Sequence, residues 1–413
     1  MTAPIPTVFI GGNHEASNYL RELHYGGWVA KNIYYLGASN IIWFGPLRIG
    51  GISGIYKSHD YLKGYYEHAP FQGSASRSIY HVRKYEIEKF KKVNSPIDIF
   101  TSHDWPEGIE RYGNTEQLLR CKPFFRREIE NQELGSLPNR TLLSHLKPNW
   151  WFSAHLHVGF DAEIQWHGEG STPYPPADPS KLPSSVPTYP VQVEKNQDEI
   201  VLSDLEDNST DDDSRLAKKP KIDAGGEITN HNEPGCNIPN KEIPVYPPPS
   251  TNFYGDSETT KFLALDKCIT NRRFLEIIDI DTGSEETKPH TFYYDPEWLA
   301  ITKCFSKYMS TAQGPDTIPS NIIDEKNPDE LEKAKAWVKD NIKDYRILDN
   351  FAMTASGPPP KSCNPSTNLN RFNRPKFNDT YLYRNQQTTK YCQMLGIDDP
   401  FTAQCPENDT VSK

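Results

Sequence analysis

The sequence predicts an α/β protein, a layered β-sandwich flanked by helices with a smaller α+β region toward its C-terminus, and three observations carry that prediction. Short apolar runs alternate with helix-like segments through residues 1 to 167. Three of those runs end abruptly in polar side chains able to bind a metal ion. A polar, proline-rich stretch then interrupts the pattern before strand and helix signals resume at Lys261. Strand alternating with helix favours a sheet covered by helices, with functional loops gathered on one rim.

The first run, Thr7-Val8-Phe9-Ile10, leads into Gly11-Gly12-Asn13-His14-Glu15. The second, Ile97-Asp98-Ile99-Phe100, leads into Thr101-Ser102-His103-Asp104, and the third, Trp150-Trp151-Phe152, into Ser153-Ala154-His155-Leu156-His157. Each reads as a strand delivering ligands at its carboxyl end. Helices are expected between the second and third, around Thr115 to Leu119, Phe124 to Asn131 and Arg140 to Leu146. Further on, Phe262-Leu263-Ala264-Leu265 and Phe274 to Ile280 read as strands. Pro328 to Ile342 reads as a helix, with Asp329, Glu330 and Glu332 in its first turn and lysines later. Residues 346 to 380 are rich in Pro and Asn and are expected to be irregular.

Composition divides the chain as sharply as periodicity does. Residues 168 to 258 read as a disordered Pro/Asp-rich insertion and 401 to 413 as a disordered tail. Inside the insertion, Lys218-Lys219-Pro220-Lys221 has the make-up of a nuclear localisation signal. The net charge of -10 hides an asymmetry: residues 1 to 167 hold 18 Lys+Arg against 16 Asp+Glu, so the acidic excess lies elsewhere and a nucleic-acid ligand is not excluded. Ten of the twelve histidines also precede residue 168, a clustering that invites metal or acid/base chemistry. The seven cysteines are scattered without a CxxC pair, which argues for reduced thiols over a disulfide framework or a cysteine zinc cage. No signal-peptide pattern opens the chain and no long apolar stretch interrupts it, so an intracellular soluble protein without membrane contact is expected.

Imidazole nitrogens and an amide oxygen suit borderline divalent metals, and their arrival from separate strand ends would leave an open, usable site. Gly11 and Gly12 let the backbone turn sharply before Asn13. Glu15 or Asp104 could orient a ligating histidine from outside the coordination sphere. His155 and His157 would share a face on a strand, whereas in a tight loop their rings could point to two different metals. A metal pair about 3.5–4 Å apart can clamp both the attacking and the leaving oxygen of a phosphodiester.

Gly-Asn-His-Glu, an isolated His and then His-x-His, in that order, resemble the back half of the calcineurin-like metallophosphoesterase signature. Longer runs narrow the resemblance: Gly11 to Asn18, Tyr25 to Ala30, Gly50 to Ile55 leading to His59-Asp60-Tyr61, Ser78 to Arg83, Ser102 to Pro106, and Trp151 to Val158 are similar to the RNA lariat debranching enzymes. It resumes at Lys261 to Cys268 and at Gln387 to Ile397. The resemblance implies a calcineurin-like metallophosphoesterase domain over residues 1–167, completed by 259–300, and a lariat debranching C-terminal domain over 301–400. It implies a nuclear, monomeric hydrolase of mRNA splicing and intron turnover that opens the 2',5'-phosphodiester of branched (lariat) RNA with metal-activated hydroxide, using Fe2+, Zn2+ or Mn2+. Asn13, His103 and His155 would hold one ion and His157 the other, with His14 facing the scissile phosphate. The loop from Ile52 to Ser78 corresponds to the family's lariat-recognition region. There Lys57, Lys63 and Arg77 suit phosphates, Tyr56 and Tyr61 offer faces to unstacked bases, and His59 and His81 complete the expected RNA-binding set.

The chain departs from that family in one respect. The Cys-x-His and the Gly-Asp with its bridging aspartate should precede Gly12-Asn13, but only eleven residues stand before Gly12 and no Cys-x-His occurs anywhere. Met1 is therefore expected to be an internal methionine of a longer enzyme, and this chain to hold at most one ion well. A noncatalytic remnant that binds branched RNA, or a phosphatase of other phosphoesters, are the alternatives the sequence leaves open.

Overall fold

The computed structural model describes residues 2–69, 71, 73–166, 174, 179–183, 258–282, 290–314, 329–354, 382–401 and 403. Most of the 168–258 stretch, its basic tetrad and most of the 401–413 tail lie outside the described residues.

Two sheets carry the architecture. The larger has seven strands in the order β10-β4-β5-β6-β7-β9-β8: β4 (Ser39–Phe44), β5 (Leu47–Ile52), β6 (Ile99–Ser102), β7 (Trp150–Ser153), β8 (Phe160–Gln165), β9 (Thr259–Ala264) and β10 (Phe292–Tyr294). The central β5, β6, β7 and β9 run parallel, while β4, β8 and β10 add antiparallel margins. Parallel strands demand covered crossovers, and the intervening sequence supplies them in α4 (Lys84–Phe90), α5 (Thr115–Cys121), α6 (Phe125–Asn131) and α7 (Leu137–Leu146). The last three form where the sequence places them. Asn114 and Ser136 fix their starts by accepting from the amides of Gln117 and Asn139, which satisfies donors that a helix leaves open at its first turn.

The smaller sheet, β1-β3-β2, joins β1 (Thr7–Phe9), β3 (Ile33–Tyr35) and β2 (Gly27–Ala30). This corrects the expectation of a single rim: β1 carries Asn13 on a different sheet from β6 and β7, so the candidate ligands converge from both sheets. Mixed α/β sheets with helices, and a C-terminal region built as expected, agree with the predicted fold class.

The C-terminal elements are α8 (Pro296–Phe305), α9 (Asp329–Asn341) and α10 (Gln386–Leu395), and α9 falls within one residue of the expected Pro328–Ile342 at each end. Asp295 caps α8 by accepting from the Trp298 amide at 2.7 Å, and the same carboxylate takes bonds from Trp43 Nε1 (2.7 Å) and Arg48 Nε (2.8 Å) of the large sheet. Trp298 then packs at 4.6 Å on Phe90, within a core that also contains Phe100 and Trp151.

The second expected strand, Phe274 to Ile280, does not form. That segment is irregular and exposed, with Leu275 at 72% and Ile277 at 88%. Both edges of β9 are taken by β7 and β8, and with its side chains largely exposed the following segment has no apolar face to bury against the sheet. Arg273, ion-paired to Asp161 on β8 and to Glu276, pins the segment outside the sheet.

Candidate functional site

Three loop ends meet at one point. β6 stops at Ser102, β7 stops at Ser153, and the chain after β1 turns through Gly11 and Gly12, which brings Asn13, His103 and His155 together. Asn13 Oδ1 lies 3.0 Å from His103 Nε2, and His155 Nδ1 lies 3.2 Å from that same nitrogen. A Cβ on Gly12 would sit 2.4 Å from His103 Cε1, so residue 12 must be glycine for the ring to reach Asn13.

The loop after β7 is bent tightly. Leu156 N donates to Ala154 O at 2.7 Å across a three-residue turn, and His155 and His157 have φ of 58° and 53°. Non-glycine residues in that region carry strain of order 1 kcal/mol or more. The strained turn answers the alternative left open by the spacing: the two imidazoles belong to a loop beyond the strand, and His155 bonds to the Asn13–His103 pair.

Burial depresses His103 to about 3, and the neighbouring positive charges of His155, His14 and His157 push the same way, so its imidazole is neutral and its lone pair available. His14 and Glu15 lie exposed on the turn after Gly12. Among the described residues the Glu15 carboxylate takes no hydrogen bond from a histidine; the carboxylate nearest a ligand is that of Asp104, with Oδ1 3.7 Å from His155 Nε2. Asp104 is buried, which raises its pKa, and its Oδ1 has no hydrogen-bond partner while Oδ2 accepts from the Tyr56 amide at 2.6 Å.

Sequence reasoning missed what holds these loops. The Asp104 carbonyl accepts from Ser102 Oγ (2.7 Å), Asn139 Nδ2 (3.0 Å) and Ser153 Oγ (3.2 Å). Trp105 Nε1 donates to Ala154 O, and Trp151 Nε1 to Ser102 Oγ, each at 2.9 Å. Serines that close strands beside tryptophans were the available signal, but the partners that join the two loops, Trp151 for Ser102 and Asp104 for Ser153, lie 49 residues away.

The Ile52 to Ser78 loop is organised by Asp60. His81 Nδ1 lies 2.6 Å and His59 Nε2 3.3 Å from its Oδ2, and Lys63 Nζ 2.7 Å from its Oδ1. His59, Asp60 and His81 have the composition of a metal cluster. Lys63, bonded to the same carboxylate, and Arg83, at 4.0 Å, make this instead an ion-pair hub with little attraction for a cation. Tyr56, Lys57, His59 and Lys63 are partly exposed and Arg77 fully so, whereas Tyr61 is 2% and His81 8% exposed. Tyr61 packs edge-on at 5.5 Å beneath Tyr56, so its ring has no free face for a base; the exposed side of the pair belongs to Tyr56.

Paired sheets with convergent Asn and His at strand ends define a metallophosphoesterase-like α/β protein. Residues 257–400 match the family model described as "Lariat debranching enzyme, C-terminal domain". The chain is 36% identical over 401 residues to the lariat debranching enzyme of Schizosaccharomyces pombe, covering 96% of this chain and 81% of that protein. It is equally 36% identical to those of Drosophila pseudoobscura pseudoobscura and Gallus gallus, again over 96% of this chain but spanning only 64% and 57% of their lengths. The chain belongs to the lariat debranching enzyme family.

Proposed function

We propose that this chain is a metal-dependent hydrolase of branched RNA that cleaves the 2',5'-phosphodiester at the branch point of excised lariats. The observation that carries the reading is the convergence of Asn13 Oδ1, His103 Nε2 and His155 Nδ1 within about one coordination sphere, in a chain of this family. Three oxygen and nitrogen donors around a neutral histidine fit a borderline divalent ion such as Fe2+, Zn2+ or Mn2+. When bound, such an ion would polarise a phosphoryl oxygen and acidify water.

The chain's own residues supply the rest. Asp104 steadies the far nitrogen of His155, as carboxylates commonly do behind a ligating imidazole. His14, exposed beside Asn13, would donate a proton to the departing 2'-oxygen, and His157 would serve a second ion. Lys57 and Lys63, partly exposed on the neighbouring loop, would meet flanking phosphates, and the outer face of Tyr56 an unstacked base. A nuclear location and a role in intron turnover belong to the same proposal, and the basic run at Lys218 to Lys221 supports it. No helix among the described residues is long and apolar enough to cross a membrane.

The test is cleavage of a synthetic branched RNA by the recombinant chain with Mn2+, Zn2+ or Fe2+ supplied in turn. Loss of the 2',5' linkage with the 3',5' backbone intact is expected, and His14→Ala should slow it about 10²–10⁴-fold with RNA affinity retained. Retention of branched RNA without cleavage under all three metals would overturn the reading.

A further inference from the structure

Behind the Gly11–Gly12 turn lies a cavity of about 50 Å3, lined among others by Arg21, His24, Tyr35, Ser17 and Glu86. A water needs about 10–15 Å3 measured this way, so the space exceeds one solvent molecule. Among the described residues, two of its donors lack a hydrogen bond. Arg21 is 5% and His24 3% exposed, yet Arg21 Nη1 and His24 Nε2 make no hydrogen bond. The acceptor nearest His24 Nε2 is Glu86 Oε1 at 3.5 Å. Burying such donors without a hydrogen bond is unfavourable, and more so for a charged one.

The acceptors nearby are already engaged. Glu86 takes Tyr65 OH on Oε1 (2.6 Å), and on Oε2 Lys89 Nζ (2.6 Å) and the Ser39 hydroxyl. Glu67 serves both Arg83 and Arg21 Nη2, and Asp60 serves Lys63, His59 and His81. Across this network four permanent cations, Arg21, Lys63, Arg83 and Lys89, share three carboxylates, Asp60, Glu67 and Glu86. Of these groups only Arg21 and Glu86 line the cavity, and there the Arg21 guanidinium shares its carboxylate, Glu67, with Arg83.

We propose that this cavity is an anion site, separate from the Asn13–His103–His155 centre, that takes a single phosphate-class oxyanion on Arg21 Nη1 and His24 Nε2. The oxyanion supplies acceptors to both donors and a second negative partner for the Arg21 guanidinium, which neither water nor a cation does. The site goes beyond the hydrolytic reading: it lies on the other side of the turn from the candidate ligands, and nothing in that chemistry uses Arg21 or His24.

Calorimetric titration of the full chain with inorganic phosphate, at constant ionic strength and with EDTA present, tests it. The wild-type chain should bind one equivalent, and a tenfold excess over Kd should raise its melting temperature by about 3 °C. Arg21→Gln should weaken binding at least tenfold, since a charge-assisted bond is lost, and His24→Asn should weaken it in the same direction. His103→Ala, which dismantles the other centre, should leave it intact. A 5'-phosphorylated RNA decamer distinguishes the source: displacement of bound phosphate assigns the site to RNA phosphates, simultaneous binding to the free ion. No uptake by the wild-type chain, or equal uptake by folded Arg21→Gln or His24→Asn, overturns the proposal. Debranching activity is not read in this experiment, so it stands or falls apart from the proposed reaction.

Discussion

At the scale of single residues, the candidate site is a set of ordinary side chains held in unusual relations. Asp104 illustrates this: a buried carboxylate with one oxygen on the Tyr56 amide and the other unpaired, 3.7 Å from His155 Nε2. Asp104→Asn keeps an acceptor for Tyr56 but removes the charge behind His155. We expect a 10- to 100-fold weaker metal affinity with little change in fold, measured by competition with a chelator; unchanged affinity would remove Asp104 from the site. The candidate ligands were legible in the sequence, because Asn13, His103 and His155 each follow an apolar run. The fate of the tyrosines was not. Tyr56 and Tyr61 lie five positions apart in a short loop with no periodicity to tell an inward ring from an outward one, and only the packing assigns Tyr61 to the core.

At the scale of elements, strand ends were easier to read than strand partners. The runs at Thr7, Ile97 and Trp150 form strands, but that β1 pairs with β3 and not with β6 depends on contacts the local pattern does not encode. Phe274 to Ile280 shows the converse, a strand-like pattern that stays out of the sheet with its apolar side chains exposed. The approach to β6 offers a test. Asp98 is buried, accepts from the Arg48 amide at 2.7 Å, and is raised by burial to about 6. The folded chain thus keeps this proton to about pH 6, whereas the unfolded chain gives it up near 3.8. The stability Asp98 contributes is full below 3.8 and is lost as pH rises through 6. Asp98→Asn cannot ionise, so it should stabilise the protein by about 2 kcal/mol at pH 7.5 and far less at pH 4. Urea midpoints at the two pH values decide this, and equal effects at both would refute the assignment.

At the scale of the whole molecule, late sequence closes over early sequence. Asp295 joins the α8 start to Trp43 and Arg48, and it and Glu297 hold the buried Arg48 guanidinium. Asp295→Ala leaves that cation short of its main partner and uncaps α8, and should destabilise the protein by about 3 kcal/mol or more in urea unfolding. A loss under 1 kcal/mol would mean the two regions are joined by apolar packing alone. A second closure reaches the candidate site. Gln387 bonds both the amide and the carbonyl of Trp28, at 2.7 and 2.9 Å, and Thr388 bonds the carbonyl of Glu22. Glu22 ends α1 (Ser17–Glu22), the helix that follows the Asn13–His14 turn. A chain is made from its N-terminus, so a nascent polypeptide that has emerged only as far as residue 380 already holds Asn13, His103 and His155 but not the bonds from Gln387 and Thr388 to Trp28 and Glu22. The centre is therefore synthesised before these C-terminal supports and is complete only after them.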